Sequence, residues 1–185
     1  MFAKQPSLSY AEYLAYEQVS PIKHEFLYGQ AFAMAGASEI HNLIVANLIA
    51  AIRPALRGTN CRLFPSDMKL SIAAADHATY YPDIMVVCDS TDNDPYVKQH
   101  PCLLIEVLSP STAAIDRREK LLNYQKISSL QEYVLVSQTE MQVELFRRDT
   151  DGGWLTQSLS TNQTMHLTSI DFHIPLTEVY EDVNL

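Results

Sequence analysis

Glycine is scarce in this chain, five in 185 residues, and none forms the Gly-rich loop that cradles a nucleotide phosphate. No G-x-S-x-G elbow occurs, which removes the usual serine-hydrolase arrangement. Cysteine is sparse as well. Cys61, Cys88 and Cys102 lie far apart in apolar runs, so they read as reduced core residues and not as a disulfide frame or a zinc site. No paired Cys or His spacing marks a zinc site, and no cysteine has a clear histidine partner for nucleophilic work. No apolar run approaches the roughly 20 residues of a membrane helix. The opening Met1-Phe2-Ala3-Lys4-Gln5-Pro6 lacks the apolar core of a signal peptide. The expected location is therefore cytoplasmic, with no membrane partner. Positive charge is also short, with 13 Lys and Arg against 22 Asp and Glu and a net charge of −9. That balance argues against a strong nonspecific nucleic-acid binder. It leaves room for local basic patches at Arg53 and Arg57, Arg117-Arg118 and Arg147-Arg148.

What is present suits one domain spanning 1–185. At 47% hydrophobic and 19% charged the chain can build a core and is neither disordered nor fibrous. Ser9-Tyr10-Ala11-Glu12 has the form of a capping box, and predicts a helix to about Ser20 with Tyr13, Leu14 and Tyr16 on its buried side, stopped by Pro21. Lys23 to Ala35 reads as a hairpin turning at Gly29. Ser38 caps a long helix carrying Ile40, Leu43, Ile44, Leu48, Ile49 and Ile52 at helical spacing, ending near Gly58, with Pro54 near its end. Strands are expected at Cys61–Phe64, Met68–Ile72, Ile84–Cys88, Cys102–Leu108, Tyr133–Val136 and Val143–Arg148, with a loop over 73–79. Asp151-Gly152-Gly153 is a turn, Trp154 to Leu159 a hairpin partner, Met165–Leu167 and Phe172–Ile174 short strands, and Leu176–Tyr180 a last helical turn. The order predicts an α/β or α+β domain with a mixed central sheet flanked by helices.

The chemistry concentrates between Tyr80 and Tyr124. Tyr81-Pro82-Asp83 leads into the apolar strand Ile84–Cys88, and Glu106 is the single polar residue within Leu103 to Leu108. Alternation places Glu106 on one strand face with Cys102, Leu104 and Leu108. A carboxylate there is costly unless paired or bound to a cation. Glu106 thus reads either as one half of a buried salt bridge, to Lys120 or an arginine, or as a metal ligand. Asp83 alone would be an ordinary strand-start aspartate. If its strand and the next are adjacent and antiparallel, the two carboxylates can reach one point, and an oxygen-rich site of that kind suits Mg²⁺ or Mn²⁺. Asp116, Lys120 and Tyr124 fall at i, i+4 and i+8 after the turn Ser109-Pro110-Ser111-Thr112, on one helical stripe. Lys120 is either the partner of Asp116 on a solvated face or a cation aimed at the metal site. Glu25, between His24 and Phe26, is a further metal-ligand candidate or a satisfied edge residue. His41 reads as a capping or surface histidine, and Asp67 as a turn residue that could support the site from behind.

His24-Glu25-Phe26-Leu27-Tyr28-Gly29, Ser38-Glu39-Ile40-His41-Asn42, Tyr81-Pro82-Asp83, Ile105-Glu106-Val107-Leu108-Ser109-Pro110-Ser111-Thr112 and Asp116-Arg117-Arg118-Glu119-Lys120 together resemble the Uma2 family of the PD-(D/E)XK nuclease superfamily, abundant in cyanobacteria and other bacteria. The resemblance covers nearly the whole chain. It implies a restriction-endonuclease-like core and a Mg²⁺- or Mn²⁺-dependent endonuclease, with DNA the expected partner. It matches Asp83 to the acid of the Pro-Asp motif, Glu106 to the second acid, and Glu25 to an upstream acid used by some members. The motif lysine, normally two positions after the second acid, is replaced by Leu108. The resemblance suggests that Lys120 supplies the cation instead. A homodimer is expected by analogy with nucleases that act on two strands. Two rivals remain open: a non-catalytic interaction module that keeps the fold, and a hydrolase of a smaller phosphoester.

Overall fold

The computed structural model describes residues 7–109 and 113–185. Helix α1 (Tyr10–Val19) opens with the expected capping box, Ser9 and Glu12 bonding reciprocally. Its buried side is Tyr13 and Glu17, while Tyr16 faces solvent. Strands β1 (His24–Leu27) and β2 (Gln30–Ala33) form the predicted hairpin. Tyr28 and Gly29 both adopt positive φ in its two-residue turn, the mirror-image turn that matches strand twist. Helix α2 (Glu39–Ala55) is capped by Ser38, and Pro54 falls in its last turn, where its missing N–H interrupts only the end of the helical ladder.

Seven further strands complete the centre of the chain: β3 (Arg62–Pro65), β4 (Lys69–Ile72), β5 (Ala78–Tyr80), β6 (Ile84–Val87), β7 (Val97–Lys98), β8 (Leu103–Leu108) and β9 (Glu132–Ser137). They are followed by β10 (Gln142–Arg148), β11 (Trp154–Ser160), β12 (Thr164–Leu167) and β13 (Phe172–Pro175), and by a last helical turn at Leu176–Val179. Six strands pair in the order β11-β10-β9-β8-β6-β3, five in the order β2-β1-β5-β4-β7, and β12 pairs with β13. Among the described residues only β8–β9 and β4–β7 are parallel. A helix over 113–124, here α3, makes the crossover from β8 to β9. The expected turn at Ser109–Thr112 falls from Pro110 onward outside the described residues. Among the described residues no helix is long and apolar enough to cross a membrane.

The central strands β6, β8 and β9 of the six-stranded sheet are buried on both faces, which explains the continuous apolar runs of β6 and β8. Ile84, Val86, Leu103, Ile105 and Val107 pack toward α2 residues Ile44, Leu48 and Ile52 and toward Met165, Leu167 and Ile174. Met85, Val87, Leu104 and Leu108 face the other way, onto Leu70 and Tyr80 of the five-stranded sheet and Tyr124 of α3. Each such residue contributes about 1.5–3 kcal/mol of burial. Glu106 lies on the second face, with Leu104 and Leu108 as alternation predicts. Cys102 precedes the strand proper and packs with the first.

The cysteines depart from the expectation. Cys61 and Cys88 are joined in a disulfide, and only Cys102 is free. Cys61 immediately precedes β3 and Cys88 immediately follows β6. The antiparallel register Arg62↔Val87 therefore sets the two opposite each other, a proximity that linear spacing does not reveal. The predicted loop over 73–79 also differs: a short 3-10 turn at Ala73–Ala75 leads into β5.

Candidate functional site

Pro82 has no N–H to give to a ladder, and the pairing of β6 with β8 stops at Ile84↔Ile105. Continuing that antiparallel register by one residue places Asp83 opposite Glu106. The Val107 N–H, beyond the end of the ladder, donates to Asp83 Oδ2 at 2.8 Å. Asp83 Oδ1 lies 3.1 Å from His41 Nε2. His41 comes from the first turn of α2, whose cap residue Ser38 also donates to the Gln138 side chain, and Gln138 in turn donates to the Leu108 carbonyl. That chain of bonds docks the α2 N-terminus against the end of β8 and delivers the imidazole to Asp83. Burial would lower the His41 pKa, but the Asp83 hydrogen bond and charge outweigh it and hold the pKa above the usual histidine value.

Glu106 meets the helix. Its Oε1 accepts from Tyr124 OH at 2.7 Å and from Lys120 Nζ at 3.1 Å. Lys120 Nζ also stands 3.2 Å from Glu25 Oε1 and 3.2 Å from Asp116 Oδ1. The helix is not uniformly α: residues Asp116–Lys120 form a π-helical turn, so the simple i, i+4, i+8 stripe is displaced. Wider turns of this kind recur at functional sites. Lys120 and Asp116 are both buried, which rules out the solvated-face reading of that pair.

The electrostatics follow from three carboxyl groups facing one ammonium. Burial alone would lower the Lys120 pKa, but Glu106, Glu25 and Asp116 overcome it and hold the ammonium well above its usual range. For Glu106, burial pushes the carboxyl up, Lys120 opposes, and the Asp83 and Asp116 charges push it further up. The two shifts pull against each other, because a protonated Glu106 would not support its lysine. The ammonium is the firmer charge, since two further acids hold it. Glu106 is the group that takes up a proton. Asp116 Oδ1 is buried without a hydrogen-bond partner; Lys120 Nζ is near it only as a charge.

An oxygen-only donor set with an unsatisfied buried oxygen and more acids than cations fits a hard divalent ion. The structure thus brings Glu25, Glu106, Asp116 and Lys120 into direct contact and sets Asp83 at the neighbouring strand end. It does not bring in Asp67, whose side chain is 84% exposed and paired with Lys23 at 2.7 Å. Arg117 is turned away to Glu144, with Nη2 at 2.6 Å from Oε1. Lys23 and Lys69 each stand 5.6 Å from the Tyr81 ring centroid.

Sequence reasoning missed two groups. His41 was legible only as a cap. Glu17, buried on α1, accepts from the His24 N–H at 2.9 Å and from Tyr81 OH at 2.7 Å, and pairs with His24 Nδ1 at 3.0 Å. It ties α1 to the strand bearing Glu25 and to the Tyr81-Pro82-Asp83 segment. A carboxylate at helical spacing from Tyr13 was its sole signal.

Comparison with known proteins bears on the family and the fold. The Uma2 family profile, described as "Putative restriction endonuclease", matches residues 10–177. The uncharacterized protein slr1290 of Synechocystis sp. (strain ATCC 27184 / PCC 6803 / Kazusa) is 36% identical over 176 residues, covering 95% of this chain and 92% of that protein. The uncharacterized protein sll1609 of the same organism is 37% identical over 155 residues, covering 82% of this chain and 87% of that protein. Among solved structures, one titled as a putative nuclease belonging to DUF820 from Anabaena variabilis ATCC 29413 aligns with a TM-score of 0.77 at 16% identity, over 96% of this chain and 99% of that one. At that identity the likeness establishes the shared fold.

Proposed function

The chain belongs to the Uma2 family of restriction-endonuclease-like proteins, and from that premise we propose that it is a divalent-metal-dependent endonuclease that hydrolyses phosphodiester bonds in DNA. The observation that carries the reading is the placement of Asp83 and Glu106 at the ends of neighbouring antiparallel strands, with Lys120 bonded to Glu106. Asp83 and Glu106, with Glu25, would hold Mg²⁺ or Mn²⁺. Such an ion, when bound, lowers the pKa of water and polarises a phosphoryl oxygen.

The chain's own residues have distinct tasks in this reading. Tyr124 and Lys120 hold Glu106 by its Oε1. His41 and the Val107 N–H fix the rotamer of Asp83. The Lys120 ammonium places a permanent positive charge beside the reacting phosphate, where negative charge grows in the transition state. Lys69 and Lys23 contact backbone phosphates and set the strand's register without reading bases. Because a proton competes for Glu106, metal binding strengthens as pH rises and releases that proton.

One specific observation favours a second reading: Lys120 is already held by three carboxylates, as in a purely structural cluster. That would be the non-catalytic module. The deciding experiment uses Asp83→Asn and Glu106→Gln, with plasmid and oligonucleotide DNA in Mg²⁺, Mn²⁺ or EDTA. Expected are cleavage by the parent protein that EDTA stops, loss of at least 100-fold in both variants, and a Mn²⁺ thermal shift that Asp83→Asn removes. Cleavage that persists in both variants refutes the site. An absent metal shift together with absent cleavage selects the module.

A further inference from the structure

A second cluster of ligating side chains lies away from this site, on the β12–β13 hairpin. His166 and His173 are directly opposite in its antiparallel register. Their rings stack with centroids 3.8 Å apart and planes 12° from parallel. Asp171 stands in the connection between the strands, at a positive φ of 48°. One ligand atom from each of the three lies within 4.8 Å of the others. Their separation of seven positions in sequence conceals the pair, and only the hairpin register makes it.

We propose that His166, Asp171 and His173 form a binding site for a borderline transition-metal ion, Zn²⁺ in the first instance. The donor chemistry selects the ion. Two imidazole nitrogens and one carboxylate suit Zn²⁺, Co²⁺ or Ni²⁺, whereas Mg²⁺ favours oxygen alone. Zinc-to-nitrogen bonds are about 2.0–2.1 Å long, so tetrahedral ligands round one ion stand about 3.4 Å apart. Closing the observed cluster onto an ion therefore needs shifts of about 1.5 Å at most. His173 and Asp171 are exposed and His166 half-buried, so these side chains have room to move.

The backbone beneath them is held firm. Met165, Leu167 and Ile174 alternate with the histidines and are buried in the core. Thr168 and Ser169, between His166 and Asp171, each donate a backbone N–H and a hydroxyl to the buried Glu132 carboxylate at 2.6–3.1 Å. Arg147 donates to the His166 carbonyl at 2.6 Å. The ligand-bearing loop is thus pinned before any ion arrives, which reduces the ordering cost of binding. Three protein ligands leave a fourth tetrahedral position open, available to water.

The test is titration of tag-free protein with Zn²⁺ by calorimetry, and with Co²⁺ by its visible absorption, in the parent and in the Asp83→Asn/Glu106→Gln background. Expected are one Zn²⁺ bound in both, a tetrahedral Co²⁺ spectrum, no competition from millimolar Mg²⁺, and at least a tenfold loss of affinity in His173→Ala and His166→Ala. His173 is exposed, so its variant reads binding without disturbing the core. Absence of Zn²⁺ binding, equal affinity in the His166→Ala/His173→Ala variant, or loss of binding in the Asp83→Asn/Glu106→Gln background overturns the proposal.

Discussion

Replacing Lys120 by methionine removes the charge and keeps the stem, so it tests what one buried ammonium does for the surrounding acids. Its side chain is 7% exposed, and three carboxylate oxygens stand 3.1–3.2 Å from Nζ. At an effective dielectric of about 20, each contact is worth roughly 5 kcal/mol of gross attraction, most of it offset by desolvation. Removing one partner of such a cluster typically costs about 3–5 kcal/mol, because the remaining charges stay buried and uncompensated. With a urea slope of about 2 kcal/mol/M, the unfolding midpoint of Lys120→Met should fall by roughly 1.5–2.5 M near pH 7.5. The pH dependence follows from the signs. Lys120's raised pKa keeps it charged well into the alkaline range, so it does not titrate near neutrality. Glu106's raised pKa means that its burial is tolerated at low pH and becomes costly as it ionises, more so without the lysine. The deficit should therefore shrink at pH 4.5, where Glu106 is protonated, and Mg²⁺ or Mn²⁺ should stabilise the variant more than the parent. A deficit under about 0.5 kcal/mol at neutral pH, or one that does not shrink in acid, refutes the electrostatic account.

His41→Asn keeps a donor but removes the titrating charge. His41's pKa is raised by Asp83, so its contribution is full below about pH 6.5 and fades as pH rises through the folded value; the variant should lose about 1–2 kcal/mol at pH 6 and little at pH 9 in urea unfolding. Glu132→Gln acts in the opposite sense. Burial would raise the Glu132 pKa, but Ser169, Arg147 and Thr168 together lower it, so its contribution holds above about pH 4.3 and is lost on acidification. The variant should cost about 3 kcal/mol at pH 7, with the gap to the parent closing towards pH 3.

The parts of the fold that were legible are those in which local pattern and tertiary environment agree. β6 and β8 are apolar on both faces because both faces are covered, and α1, α2 and the first hairpin carry their own caps and turn residues. What was hidden depends on partners distant in sequence. β7 is two residues long and exists because Val97 and Lys98 pair with β4, with the Lys98 ammonium satisfied by the Asp92 and Asp94 carbonyls. The Cys61–Cys88 link is a consequence of register. Glu132 is fully buried only because Arg147 and the turn at Thr168–Ile170 converge on it. The acids of the candidate site stood out because a carboxylate inside an apolar strand conflicts with its surroundings. His41 did not, because an imidazole near a helix cap conflicts with nothing.

The position of the lysine follows from the layers. A cation two residues after Glu106 would share its strand face, at the place of Leu108. That face is packed: Leu104 and Leu108 join Tyr124, Tyr133 and Leu135 in a closed cluster, and an ammonium there would lack acceptors. A lysine on α3 approaches Glu106 from the layer above, and its stem need not cross the core. The π-helical turn widens the helix where Asp116 and Lys120 both turn inward. Tyr133 OH bonds to the Asp116 carbonyl at 3.2 Å, fixing the wide turn to β9. The charge beside the acids is therefore set by how the helix docks, whereas the backbone positions of Asp83 and Glu106 are set by sheet register. Tyr133→Phe, which loosens α3 and touches none of the charged groups, should therefore weaken the hold of Lys120 and Tyr124 on Glu106 more than that of His41 on Asp83; a urea midpoint and Mn²⁺ thermal shift equal to the parent's would refute this.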